Sequence, residues 1–220
     1  MSKTSTNKKA VVLLSGGIDS STVLYYAKSK NYLCRCLIFD YGQKHVREIS
    51  SAKNIAKSAK IPFRVLTINL PWKSSSLIDK SKKIPVHKDL SKLNKLPSTY
   101  VPGRNTIFLS YALSYAEELK ASTIFIGANI LDYSGYPDCR PNYYKLWNKL
   151  LKSLGLNIKI LAPLQYLNKS QILKLGTRLN VPYKYTWSCY SGKAKPCGIC
   201  DSCKFRSKGF SKIKLQDPLA

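Results

Sequence analysis

The stretch "AVVLLSGGIDSSTVLYYA", residues 10–27, decides how the rest of the chain is read. The apolar run 10–14 has strand length, and Ser15, Gly16 and Gly17 end it. From Ile18 to Lys30 the pattern is helical, opening on Asp19, Ser20, Ser21 and Thr22. A strand that turns sharply into a helix gathers backbone N–H groups and the positive end of the helix dipole at one point, which suits an anion. The glycines permit a tight turn and close approach of a ligand. The hydroxyls of Ser15, Ser20, Ser21 and Thr22 add neutral donors, so the joint reads as a phosphate cradle. It is not a Walker-type loop, because it has no lysine to reach terminal phosphates. The bland alternative is a plain turn with Asp19 and Ser20 capping the helix. The intact SGG-x-DS run at the first strand–helix joint favours the cradle.

Outward from that joint, strands and helices alternate. Strands are expected at 34–41, 63–68, 122–128 and 158–161, and helices at 44–60, 105–119, 143–154 and 170–179. Such alternation predicts an α/β fold with a doubly wound, mostly parallel sheet covered on both faces. Ligands then bind where strands end and helices begin. Residues 70–103 are rich in Lys, Ser and Pro with little periodicity, and read as a cover over the site or a linker. From Tyr183 the pattern changes to a cysteine-centred module, which divides the chain into an α/β domain, 1–182, and a module, 183–220.

With 220 residues and 44% apolar composition, the chain can bury one substantial core. No apolar run approaches the roughly 20 residues that cross a bilayer, and the polar start "MSKTSTNKKA" does not resemble a signal peptide. A cytoplasmic protein without a membrane partner is expected. Lysine and arginine number 37 against 11 acids, a formal charge of +26. Such a field attracts polyanions. Yet the lysines are spread along the whole chain, with no long basic tract, and arginine, the residue of bidentate contacts, is scarce. The charge therefore reads as a solvated surface rather than a nucleic-acid site.

Cys189, Cys197, Cys200 and Cys203 follow a C-x7-C-x2-C-x2-C spacing, which lets the sulfurs converge on one tetrahedral metal. Lys193, Lys195 and Lys204 would favour the thiolates. Four thiolates leave no open position, so one structural zinc is expected. An iron–sulfur cluster is the rival. Cys34, Cys36 and Cys139 stand apart, and the first two read as core residues.

"SGGIDSST" resembles the pyrophosphate loop of the ATP-pyrophosphatase superfamily, whose members cleave ATP between the α- and β-phosphates to adenylate a carbonyl oxygen. Three further stretches narrow the likeness: "FDYGQKHVREI" (39–49), "YVPGRNTIFLSYALSYAEELKASTIFIGANILDYSGYPDCRP" (100–141) and "CYSGKAKPCGICDSCKFRSKGF" (189–210). Together, and in this order, they resemble the 7-cyano-7-deazaguanine synthases of queuosine biosynthesis over nearly the whole length. That resemblance implies an adenine nucleotide alpha hydrolase-like, Rossmann-like fold. It also implies a ligase that joins 7-carboxy-7-deazaguanine and ammonia at the expense of ATP and Mg²⁺, and a homodimer. The competing reading is a tRNA-modifying relative.

The resemblance places nucleotide binding on Leu14, Ser15, Gly16, Gly17, Ile18, Asp19, Ser20, Ser21, Thr22, Val23 and Leu24. Asp19, Arg104, Asp132 and Arg140 are the catalytic candidates. Arg104 offers a planar fork for phosphate, Arg140 a pair for the substrate carboxylate, and Asp132 or Asp138 an acceptor for guanine-type N–H groups. Tyr133 and Tyr136 can flank the ring. Asn105 either caps a helix or meets the ligand, and His45 either moves protons or lies on the surface. His87 has no evident partner. Gly103 stands where many relatives carry Ala.

Overall fold

The computed structural model describes residues 8–44, 46–87, 96–131, 136–191 and 194–220. At its centre is β1 (Lys9–Leu13), whose apolar residues are buried on both faces. Alternation along this strand divides the core: Ala10, Val12 and Leu14 face one hydrophobic cluster, Val11 and Leu13 the other. β1 lies between β2 (Leu33–Asp40) and β4 (Thr123–Phe125), with β3 (Phe63–Thr67) and β5 (Lys159–Leu161) at the edges. Every ladder is parallel.

The first face carries α1 (Ile18–Ser29), α2 (Val46–Ser58), α5 (Lys169–Arg178) and, through Phe210, α6 (Asp201–Lys212). The second carries α3 (Arg104–Glu118) and α4 (Pro141–Ser153). The alternation therefore produced the predicted doubly wound sheet. The strand order β3-β2-β1-β4-β5 reverses direction between β1 and β4. A crevice opens at such a reversal, beyond the carboxyl ends of the two strands.

Two close approaches shape that crevice. Gly16 has φ +80°, and a Cβ there would lie 2.5 Å from Ala52 N and 2.6 Å from the Glu48 carbonyl. The bare backbone of Gly16 thus serves the packing of α2. A Cβ on Gly127, just past β4, would lie 2.8 Å from Ser20 N, so this glycine lets the loop after β4 touch the first turn of α1.

Residues past 183 are not set apart from the α/β core. Tyr183 and Phe210 belong to the first cluster, and α6 packs on α5. Helix α6 was not legible beneath the cysteine pattern. The described residues of the irregular segment are also packed: Leu70, Leu77 and Val101 are buried in the second cluster. The Ser76 N–H donates to the Ser98 carbonyl at 2.8 Å, tying its two limbs together.

Candidate active site

The crevice is a cavity of about 290 Å³. Of the predicted nucleotide residues, Leu14, Ser15, Gly17, Ile18, Asp19 and Ser20 line it. Gly16, Ser21, Thr22, Val23 and Leu24 do not. Val23 and Leu24 are core, and Thr22 Oγ1 donates to the Ile18 carbonyl at 2.8 Å and meets the Tyr183 hydroxyl at 3.1 Å. Gly17 is the N-cap of α1 and no side chain caps it, so neither Asp19 nor Ser20 does that work. The first-turn N–H groups of Ile18, Asp19 and Ser20 have no preceding helical carbonyl to meet, and all three residues line the cavity. The Ser20 hydroxyl accepts from Ser15 N at 3.1 Å and lies 3.0 Å from the Ser15 hydroxyl, which holds both in the loop.

The loop lacks a lysine in sequence, yet the fold supplies one. Lys169 Nζ lies 2.6 Å from Asp19 Oδ1. The "NKSQ" stretch, 168–171, explains its position. Asn168 and Gln171 form a capping box, with bonds of 3.0 Å and 2.9 Å, which fixes Lys169 at the first position of α5. Gly209 clears the other side, since a Cβ there would lie 2.7 Å from Lys169 Cγ. Sequence reasoning missed Lys169, and the capping box was the only local signal.

The opposite wall is aromatic and carries Arg104. Phe39 stacks on Phe108 at 4.0 Å and 4°, and Tyr41 meets Phe108 edge-on at 5.4 Å. Arg104 Nη1 donates to the Tyr41 hydroxyl at 3.1 Å, while its buried Nε has no hydrogen-bond partner among the described residues. Tyr136, one of the predicted ring-flanking pair, lines the cavity, and its hydroxyl lies 2.7 Å from Thr99 Oγ1. Glu48 and Lys169 also line it. Burial pushes the Glu48 carboxyl up to about 7, with Arg104 opposing and Cys189 adding to the rise.

The remaining candidates fall elsewhere. Arg140 is exposed at the N-cap of α4 and is not in the cavity wall. The buried Asp138 carboxylate accepts from Asn105 N–H at the start of α3, and burial raises its pKa. Asn105 lines the cavity and reaches toward the 137–139 turn, with its Nδ2 3.5 Å from the Asp138 carbonyl, so it is not the cap of α3. Asp132, Tyr133, His45 and Lys193 lie outside the described residues. His87 does find a partner: its Nδ1 and its N–H lie 2.6 Å and 2.9 Å from the two carboxylate oxygens of buried Asp201.

The four cysteines converge. Their sulfurs all lie within 4.8 Å of one another, and Cys197 Sγ and Cys203 Sγ are 4.0 Å apart. A tetrahedral ion with sulfurs at about 2.3 Å spaces them by about 3.8 Å. The Cys197 and Cys200 N–H groups donate to cysteine sulfurs at 3.3 Å and 3.4 Å. Hydrogen bonds from Cys200 and Cys203, rather than the lysines, lead in holding the Cys189 thiol below its ordinary range. A group of thiolates so arranged can hold a metal. The module also reaches the loop, because Trp187 N–H donates to the Gly16 carbonyl at 2.9 Å. Trp187, Ser188, Tyr190, Phe205 and Arg206 complete the cavity wall.

A parallel sheet with an uncapped helix start at its reversal point, a carboxylate–lysine pair beside it and a four-cysteine cluster behind it defines a doubly wound α/β protein with a C-terminal cysteine module. The solved structures of similar fold agree. NMN synthetase from Francisella tularensis matches at a TM-score of 0.52 and 17% identity, over 96% of this chain and 78% of that one. The U34-tRNA thiolase NcsA from Methanococcus maripaludis, with its [4Fe-4S] cluster, matches at 0.52 and 17%, over 94% and 67%.

The family model described as "Queuosine biosynthesis protein QueC" matches residues 9–214, and this chain belongs to that family. The 7-cyano-7-deazaguanine synthase of Trichodesmium erythraeum is 49% identical, covering 96% of this chain and 99% of the relative. That of Thermosynechococcus vestitus is 50% identical, covering 97% and 96%.

Proposed function

We propose that this chain is an ATP-dependent 7-cyano-7-deazaguanine synthase, making the nitrile from 7-carboxy-7-deazaguanine and ammonia. The observation that carries the reading is a single cavity with the uncapped start of α1 at one end and the unpartnered Nε of Arg104 at the other. A carboxylate is a poor electrophile, so it must first displace pyrophosphate from ATP and become an acyl adenylate. Ammonia then displaces AMP to give an amide, and a second adenylation, of the amide oxygen, lets that oxygen leave as AMP to form the nitrile.

In this reading the Ser15 and Ser20 hydroxyls and the first-turn N–H groups of α1 hold the phosphates, with Lys169 and Mg²⁺ offsetting their charge. Asp19 keeps Lys169 in place and offers an oxygen toward the Mg²⁺. Arg104 meets the substrate carboxyl group, and the ring lies against Tyr41, Phe108 and Tyr136. That assignment gives Arg104 the role first expected of Arg140. Asp132 remains a candidate for the ring N–H groups.

Cys189, Cys197, Cys200 and Cys203 hold one zinc in the proposal, since their spacing suits one ion better than a cubane, whose thiolates are spread over four irons. With four protein ligands the zinc stabilises the module and takes no part in the reaction. A homodimer in the cytoplasm completes the reading. No described helix is long and apolar enough to cross a membrane.

The test is to incubate purified protein with 7-carboxy-7-deazaguanine, an ammonium salt and Mg-ATP, and to follow AMP and the nitrile by mass spectrometry. The net charge of +26 favours a second reading, tRNA modification. AMP release that requires tRNA would establish that reading instead. Light scattering of the same sample reports the oligomeric state.

A further inference from the structure

The cavity wall contains two acidic side chains among the described residues, Asp19 and Glu48. Asp19 is committed to Lys169. Glu48, in the first turn of α2, has no hydrogen bond and no ion pair within 4.0 Å among the described residues. It is nonetheless held close to the loop, because its own carbonyl lies against Gly16. A carboxylate without a hydrogen bond, eased only by the charge of Arg104, beside a phosphate cradle needs a reason. The nucleotide, the acid substrate and the acyl adenylate are all anionic, and each is repelled by it. Apart from the Mg²⁺ that accompanies the phosphates at Asp19, the reaction's one cation at neutral pH is ammonium.

We propose that Glu48 is the catalytic residue that receives the nitrogen donor, holding an ammonium ion in the cavity and taking its proton as the nitrogen attacks. This rests on the reading of ammonia as nitrogen source. In the step, one proton passes from ammonium to the Glu48 carboxylate, and the freed lone pair forms the C–N bond. The bond from carbon to the AMP oxygen breaks, and AMP leaves with that electron pair. A second proton, shed by the tetrahedral adduct, passes to solvent.

The surroundings suit a group that cycles between its two forms. Burial raises the Glu48 pKa to about 7, close to the working pH that favours general acid–base catalysis. The groups that face it are Arg104 from α3, Tyr41 from the end of β2 and Cys189 from the module. A metal on Cys189 removes the thiolate's contribution and leaves burial, the largest cause, in place.

The experiment separates adenylation from amide formation. In Glu48→Gln, ATP–pyrophosphate exchange driven by the acid substrate should fall by no more than about three-fold. Nitrile formation at pH 7 should fall by about a hundred-fold with a raised KM for ammonium, and the deficit should narrow as pH rises and free ammonia accumulates. Glu48→Asp should recover part of the rate. Exchange lost in step with turnover, with a raised KM for the acid, would overturn the proposal and assign Glu48 to reading the ring. An unchanged KM for ammonium would overturn it as well. Wild-type protein that adenylates the acid yet ignores ammonium would overturn the reading of the donor on which it rests.

Discussion

The two walls of the cavity are built in opposite ways. One is contiguous: Leu14 to Ser20, a single bend between β1 and α1. The other is assembled from Tyr41, Glu48, Arg104, Tyr136 and the 187–206 stretch, which only the folded chain brings together. The contiguous wall offers neutral donors and one carboxylate, Asp19, and the assembled wall offers charge and aromatic surface. In the proposed reading, binding a phosphate chain is thus a local property of this sequence, whereas choosing what reacts with it is a property of the whole fold.

The most severe way to break that division is at its seam. Asp19 belongs to the contiguous wall but pairs with Lys169 from α5. Asp19→Ala should reduce turnover by about a thousand-fold while leaving the unfolding midpoint within a few degrees, measured by AMP release and thermal melts. A rate within ten-fold of wild type would mean that the pair only holds the walls together.

Removing the metal probes the assembled wall next. Chelation or Cys200→Ser should cut activity by about a hundred-fold, and metal analysis with near-ultraviolet circular dichroism should show the 183–220 region altered. Full turnover in metal-free protein would show that the module is dispensable to the site.

A smaller effect separates function from stability at Glu48. A carboxyl whose pKa rises from 4.5 unfolded to about 7 folded binds more protons in the native state between those values. Stability therefore falls as pH rises from 4.5 to 7, and the full cost is present above 7. Glu48→Gln should be the more stable protein at pH 8, by about 1 kcal/mol after allowance for partial exposure. The two proteins should converge at pH 4, which denaturant titrations at both pH values can check.

The smallest effect is expected at Gly103, which has φ +65° with nothing within 4 Å of an added Cβ. Gly103→Ala should cost about 1 kcal/mol of stability, the strain of a Cβ in the left-handed region, and should leave the KM for ATP unchanged.

This contrast also explains what could be read in advance. Periodicity located the five strands of the described residues and the helices through α5, because those elements bury one or two faces of a regular repeat. The bend at Ser15–Gly17 was legible for the same reason: the break between a strand and a helix is a local signal. Lys169 was not, since nothing in "NKSQ" reveals that α5 starts beside Asp19, 150 residues away. Arg140 illustrates the converse error of proximity in sequence: it follows the cavity residue Cys139 yet points outward at the start of α4. His87 had no partner in sequence because its partner, Asp201, lies among the clustered cysteines, between Cys200 and Cys203. Gly16 was expected to admit a ligand, and instead it admits the backbone of α2.

The bond from Trp187 N–H to the Gly16 carbonyl has a consequence for a cell short of metal. Slackening of the four-cysteine cluster would be transmitted through that amide to the bend between β1 and α1, where the proposed function places the nucleotide. Product would then disappear before protein did, and restoring the ion would revive the existing molecules without new synthesis.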